Sequence, residues 1–588
     1  MTRDEVAALG VFVLVAGLGL DGGGYAPTSW GWSSVAVLAV LTVLLVRGAP
    51  RPRKPGLALL AGLAAFTAWT ALSLVWSDDF DATVLEVERS LLYVGAAAVF
   101  LVAATRAALL AGTLGAAGVL CAYGLGDWLL GTPETPLVAD QSVAERLADP
   151  IGYANGMGIL AAVGLLLGVG VSARAPRAPA AVAAAVGPLF AVTLYFTFSR
   201  GAWLALGAGL AVGVALGPER LQLASIALVV AVPAALGVVA ADRLGATGGL
   251  AVLVPALCAL SALLLWVVRG LELTPSKRLR TAFAGALIAA PVVVVLAGLV
   301  AAGGPRAVVD SFEAAPAPTH GNTGSRVLSL SGSNRVDYWR VAGGVVEDHP
   351  LIGSGAGTFA RAWLQDRPVP QPVHDSHSLY LETLAELGPL GLAFLLVALA
   401  APFLGGRGPW TPVALAPYSA FLVHAAQDWD WELAAVTVAA LSCGVATLVP
   451  ADGPRIRRGW SFAAGALCLA AAFAFAGNRQ LAEASAAADR DDQAAAAAAA
   501  RHARTLQPWS AEPWKLLGEA QLASDSPEAA RGSFRRAISQ NPNDWEAWLD
   551  LGLASTGATR KAEFARAKRL NPLSPELVEL GFRTTGGG

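Results

Sequence analysis

The sequence predicts an all-α protein: a polytopic membrane helix bundle of about 15 spans with one large extracytoplasmic loop, continued by a C-terminal helical-repeat domain. Three observations carry this. Of 588 residues, 55% are hydrophobic and 14% charged, whereas an average soluble chain is about a quarter charged. The apolar residues fall in runs near the roughly 20 residues that a bilayer core requires. From about residue 478 the composition switches to helix formers with balanced charge. A soluble cytosolic enzyme and a disordered chain are excluded, because so few polar groups cannot clothe several soluble domains. The net charge of -2 gives nucleic-acid binding no electrostatic support. Cys121, Cys258, Cys443 and Cys468 all lie inside apolar runs, which argues against disulfides and cysteine-based zinc sites.

The expected spans are 5–20, 33–46, 57–76, 90–104, 107–130, 152–171, 179–198, 202–216, 221–240, 248–268, 281–302, 388–404, 411–426, 432–449 and 460–477. No small-residue cleavage site follows the first, so it reads as retained. Almost no ionisable residue is expected inside the spans. With the N-terminus inside, the inner loops hold seventeen Lys and Arg: one at 3, four at 47–54, and Arg106, Arg174, Arg177 and Arg220. Four more fall at 269–280, with Arg407 and three at 455–458. The short outer loops hold four: Arg89, Arg146, Arg200 and Arg243. That asymmetry sets the orientation. It places a loop of about 303–387 and the tail from 478 outside a cytoplasmic (inner) membrane, and divides the chain into a membrane domain, 1–477, and a repeat domain, 478–588.

Within the tail, Pro508, Trp514, Leu517 and Gly518 recur as Pro542, Trp548, Leu551 and Gly552, a period of 34. Phe534 and Ala537 recur as Phe564 and Ala567 at the shorter spacing of 30, so the second copy has lost four residues. The Ala-rich run 484–500 is expected to form the first helix of the array. A helical repeat of this period resembles the tetratricopeptide repeat. That resemblance implies a stacked helix-pair surface for a protein partner; the alternative is a stabilising cap on the membrane domain.

Candidate chemistry gathers on the outer side. His320, His349, His374 and His377 lie in the long loop, with Arg326, Arg335, Arg340, Arg361 and Arg367. Arg200, in Phe198-Ser199-Arg200-Gly201, stands at an outer lip where the charge bias disfavours arginine. Its planar fork of donors suits phosphate oxygens, and the alternative is an interface anchor. Val336, Trp339, Val341 and Val345 fit an amphipathic helix that opens at Arg335 and stops before Pro350. His374 and His377 precede a span, where imidazole is the natural base at neutral pH. Their spacing of three also allows a shared helical face. Asp375 lies too close in sequence to complete a tetrahedral metal site.

Ser199-Arg200-Gly201 after a span, Arg335 with Trp339 early in the loop, and His377-Ser378-Leu379-Tyr380-Leu381 before Glu386-Leu387-Gly388 resemble the O-antigen ligase and polymerase superfamily. So does the 146–156 segment, with Asn155 at an outer helix mouth. The resemblance covers roughly 1–450. It implies a glycosyltransferase taking a polyprenyl diphosphate-linked glycan as donor and a glycan, lipid or protein hydroxyl as acceptor, among membrane lipids, with Arg200, Arg335 and His377 as functional residues. Arg340, His374, Asn155 and Tyr380 are added as substrate-binding candidates, and no metal or other cofactor is expected. Ser378 departs from the family, where Asn often follows the histidine; the extra spans and the tail are further departures. A repeat-unit polymerase of the same superfamily is the nearest alternative. A transporter and a non-catalytic scaffold are the others.

The odd span count yields a direct check. A reporter active only in the cytoplasm, fused after Gly588, is expected to be silent; a bright signal would overturn the orientation or the count.

Overall fold

The computed structural model describes residues 1–131, 146–217, 219–270, 276–278, 281–283, 285, 296–314, 331–449, 455–456 and 459–581. Half of the expected eleventh span, 281–302, and Arg280, His320, Arg326, Arg457 and Arg458 lie outside the described residues. Among those described no β-strand occurs, and each of the other fourteen expected spans contains a helix. Nine helices among the described residues are long and apolar enough to cross a membrane. The shorter Arg200–Leu216 and Ala434–Val445 are also apolar.

The helices pack in pairs distant in sequence. Pro27–Val46 lies along Trp460–Asp489, Arg200–Leu216 along Thr411–His424, and Arg3–Leu20 along Arg106–Leu130. Ala154–Arg174 runs through the middle, and almost all its residues are buried. The two arginine-rich loops assigned to the inner side meet at one end, where Ile456 N–H donates to the Ala49 carbonyl at 2.8 Å.

Two helices begin well before the expected spans. Phe80–Ala103 starts ten residues ahead of 90 and carries Glu86, Glu88 and Arg89. Leu379–Ala400 starts nine residues ahead of 388 and carries Glu382 and Glu386, with a break at Gly388 (φ 66°). Within 90–104 and 388–404 no Asp, Glu, Lys, Arg or His occurs; the charges lie in the turns that extend each helix ahead of its expected span. Side-chain charge lowers mean hydropathy but does not interrupt the i to i−4 backbone ladder.

At the tail, Trp460–Asp489 runs unbroken through the expected boundary at 477. The Ala-rich run is two helices rather than one. A turn with Asp491 at φ 60° separates Asp489 from Gln493, and Asp492 caps the second helix by accepting from Ala495 N–H at 3.0 Å. Helix pairs then follow: Glu512–Ala523 with Pro527–Gln540, and Trp545–Ala554 with Gly557–Leu570. Gly518 and Gly552 matter because the rings of Phe534 and Phe564 lie against them; a Cβ at either would stand 2.5–2.6 Å from the ring.

The array sits on the face that carries the 331–378 loop. Ala511 N–H donates to Asp81 Oδ2 at 2.9 Å, Arg367 Nη2 to Asn571 Oδ1 at 2.7 Å, and Asn478 Nδ2 to Glu88 Oε2 at 2.8 Å. Loop and tail therefore share one side, as their common assignment requires.

Phe534 is fully buried between helix pairs, so Phe534→Ala should cost the tail about 3–5 kcal/mol. Limited proteolysis is expected to cut the repeats of the variant while leaving 1–477 intact.

Candidate active site

The buried carboxylate of Asp428 is the hub of the site. It accepts from Tyr153 Oη at 2.7 Å, from Asn155 Nδ2 at 2.6 Å and from Arg335 Nη2 at 2.9 Å. Arg146 extends the network by donating to Asn155 Oδ1, and through Nε to the Thr197 carbonyl at 2.8 Å. Arg200 Nη2 donates to Ser333 Oγ at 3.1 Å. Burial alone would push Asp428 up, yet the facing Arg335, with His377, His424 and Tyr153, holds it well below the usual carboxylate range. It is therefore a fixed anion among cations.

Local sequence explains how each side chain arrives. Ser199 caps Arg200–Leu216, accepting from Ala202 N–H, so Arg200 occupies the first turn. Gly158 lets this turn approach, since a Cβ there would lie 2.9 Å from that of Ser199. Arg335 opens the helix Arg335–Asp348, as expected. Its Nε donates to the Gln427 carbonyl at 2.5 Å and its Nη1 to the Gly332 carbonyl at 3.3 Å. Three of the five guanidinium N–H groups are thereby engaged, and two are left to meet a ligand.

His377 precedes the helix Leu379–Ala400, capped by Ser378. Its Nδ1 pairs with the Asp375 carbonyl at 3.1 Å. Because a carbonyl only accepts, the proton resides on Nδ1 and the Nε2 lone pair is open. The ring lies 4.8 Å from Tyr338, centroid to centroid. Burial lowers its basicity, Asp428 opposes this, and Arg335 lowers it further, so the imidazole is pushed down to about 4 and is neutral at physiological pH. Four non-glycine residues at this site, Phe198, Ser333, Asn334 and His377, have φ between 47° and 64°. Left-handed backbone at such residues costs of order 1–3 kcal/mol each and persists only where the surroundings over-determine it.

The structure thus brings together Arg200, Arg335, His377 and Asn155. Three other candidates lie elsewhere. Arg340 pairs with Asp337 and points to solvent, its side chain 68% exposed. Tyr380 turns into the bundle, its hydroxyl donating to the Leu422 carbonyl at 3.0 Å. His374 shares no helical face with His377, because both residues precede the helix; it lines a separate cavity with Asp375. In that cavity Asp375, Glu382 and Glu432 are buried with carboxylate oxygens within 4.8 Å of one another, a grouping able to hold a cation.

Sequence reasoning missed Asp428, Tyr153, His424 and Asp430. His424 Nδ1 pairs with Asp430 Oδ1 at 2.9 Å, both fully buried, and its ring closes on Gly201, where a Cβ would stand 3.2 Å from Nε2. The available signal was Gln427-Asp428-Trp429-Asp430-Trp431-Glu432: three acids in six residues, between two short apolar runs, on the side of the arginines.

Residues 243–396 match the O-antigen ligase family model and residues 511–554 the tetratricopeptide repeat model. Searches of curated proteins and of solved structures find no match. The first match spans about a quarter of the chain. It contains Arg335 and His377, whereas Arg146, Asn155, Arg200 and Asp428 fall outside it.

Asp428→Ala would leave Arg335 buried without its carboxylate, and breaking a buried pair in this way costs about 3–5 kcal/mol. Thermal unfolding in detergent is expected to show that loss, with a smaller one for Asp428→Asn, which keeps an acceptor for Arg335.

Proposed function

We propose that the protein is a membrane glycosyltransferase that moves a glycan from a polyprenyl diphosphate to an acceptor hydroxyl on the outer side of the membrane. The observation that carries this reading is the placing of Arg335 and a neutral His377 against Asp428, with Arg200 bonded to Ser333, two residues before Arg335. Cations fixed beside an imidazole with an unprotonated Nε2 suit a reaction that releases a diphosphate and takes up a proton.

In the transfer, the acceptor oxygen forms a bond to the anomeric carbon as that carbon's bond to phosphate oxygen breaks. The electron pair leaves with the polyprenyl diphosphate. Arg200 and Arg335 donate to the departing oxygens, stabilising charge where it develops, and direct displacement inverts the anomeric centre. The acceptor proton passes to His377 Nε2. A base this weak takes the proton late, once C–O bond formation has made the hydroxyl acidic. Asp428 turns Arg335 toward the site and offsets its positive charge until the donor arrives.

An apolar groove of about 960 Å³ along Arg106–Leu130 supports the donor class. Its upper residues, Val119 and Ala122, lie within two turns of Gly124, which packs against the Asp149 carbonyl of the segment that bears Arg146. A polyprenyl tail occupying this groove would leave its diphosphate at the arginines.

Purified protein with a labelled lipid-linked donor and an acceptor extract tests the roles. Arg200→Lys and Arg335→Lys should each lose about ten- to a hundredfold at subsaturating donor, since a point charge cannot replace a two-pronged contact. His377→Ala should lose about a hundred- to ten-thousandfold in turnover, with inorganic pyrophosphate binding kept. Arg340→Ala should stay near wild type. Because the base acts when neutral, the rate should hold from pH 7 to 5 and fall as pH drops through about 4. Full activity of both Lys variants would remove the clamp, and a fully active His377→Ala would remove the base.

A further inference from the structure

Three cavities lie in series beside the site, each sharing lining residues with the next. The outermost, about 410 Å³, lies between the repeat tail and the membrane domain, walled by Trp509, Lys515 and Asn543 on one side and by Asp79, Asp81 and Arg361 on the other. Ala82, Leu85, Gly357, Ala360 and His374 line both it and a second chamber of about 210 Å³. The second in turn shares Glu86, Arg89, Glu382 and Glu386 with a third, apolar one of about 120 Å³. None of this belongs to the Asp428 network, yet the middle chamber abuts it. Asp375 lines the chamber with its side chain, and its carbonyl meets His377 Nδ1. Tyr25, also in the chamber wall, packs 5.4 Å from Trp429, the neighbour of Asp428.

The chemistry of the chamber is opposite to that of the arginine site. Glu86, Asp375, Glu382, Glu386 and Glu432 face a single guanidinium, Arg89, which bonds to Glu86 and to Glu432. The wall therefore offers carboxylate oxygens that accept and the Tyr25 hydroxyl that donates and accepts, beside the aromatic faces of Tyr25 and Trp30. A diphosphate would be repelled. Sugar hydroxyls have the complementary pattern, because each donates and accepts, and the C–H face of a sugar ring lies against aromatic carbon.

We propose that the passage beneath the repeat tail, lined by Ala360 where it meets the carboxyl-lined chamber, is the acceptor site for an uncharged or amine-bearing glycan. This rests on the transfer reading above, which names an acceptor but no route for it. Donor and acceptor then occupy separate compartments of opposite charge preference, which adjoin at Asp375, whose carbonyl pairs with His377 Nδ1.

The test uses the full-length protein with cysteine at the half-buried Ala360. Ala360→Cys is labelled with a cationic or an anionic methanethiosulfonate, each rate normalised to a free small thiol, with the unsubstituted protein as background. A cleft lined by one sign of charge concentrates its counter-ion tenfold or more, so the trimethylammonium reagent should react about tenfold faster than the sulfonate. Labelling the folded variant, which avoids any folding defect, should then lower glycan transfer at least about tenfold by filling the junction of the two cavities while pyrophosphate binding is unchanged. Ala360→Trp should behave like the labelled protein. Equal rates for the two reagents, or normal transfer by the labelled protein, overturn the passage while the transfer reading stands. A wild-type protein that transfers nothing overturns the transfer reading, and the acceptor assignment with it.

Discussion

A single buried carboxylate organises the end of this molecule that carries the 331–378 loop. Asp428 is bonded at once to Tyr153, Asn155 and Arg335, so it ties the mouth of one helix, the opening of the 335–348 helix and the turn after His424. An ionised group in such a place is tolerable only when its lone pairs are filled and its charge is answered. Each bonding partner is thereby held in one orientation. Arg335 cannot swing toward solvent without stranding Asp428. His377 is kept neutral by burial and the nearby guanidinium, and Asp428 limits how far its basicity falls. The strained backbone at Ser333, Asn334 and His377 is consistent with that constraint, because left-handed turns at side-chain-bearing residues need rigid neighbours.

Some of this was legible in one dimension. Arg200 stood out as an arginine on the side where arginines are sparse. Arg335 and His377 lay next to features with clear local signals, an amphipathic helix start and the residues before a span. Asp428 had no such signal. Its partner Asn155 is 273 positions away, and an acid between two apolar runs reads as a solvated loop residue until the fold buries it. Arg340 shows the converse error: in sequence it resembles Arg335, five residues earlier, but five residues turn a helix by more than a full revolution, and its side chain emerges toward water. Hydropathy likewise hid Glu86, Arg89, Glu382 and Glu386, since windows that average over charge begin a span where the charges end.

Two electrostatic compartments result, and they need a partition. It is aromatic. Trp429 lies between Tyr153 of the Asp428 network, at 4.3 Å, and Tyr25 of the carboxyl chamber, at 5.4 Å. Rings exclude water and carry no full charge, so the arginines of one compartment are not drawn into neutralising the carboxylates of the other. Among the described residues that line the chamber Arg89 is the one guanidinium, and its Nη2 is bonded to both Glu86 and Glu432. Without the partition the two sets of charge would collapse into ion pairs, and neither cavity would keep the chemistry its lining gives it.

The repeat tail has to be understood in the same physical terms. Repeat arrays commonly offer one face to a partner, but here that face is turned toward its own chain. Asp81 accepts from Ala511 N–H, Asn571 accepts from Arg367, and Asn478 donates to Glu88. The helix Trp460–Asp489 passes from the bundle into the array without a break, so there is no hinge at the point of attachment. A flexible tether would let the tail sample many positions, whereas a continuous helix with contacts spread from 478 to 571 gives it one. Partner recognition and capping are therefore not competing descriptions of the same surface. The inward side of the array is a wall of the protein's own cavity, and a separate protein has only the outward side to meet.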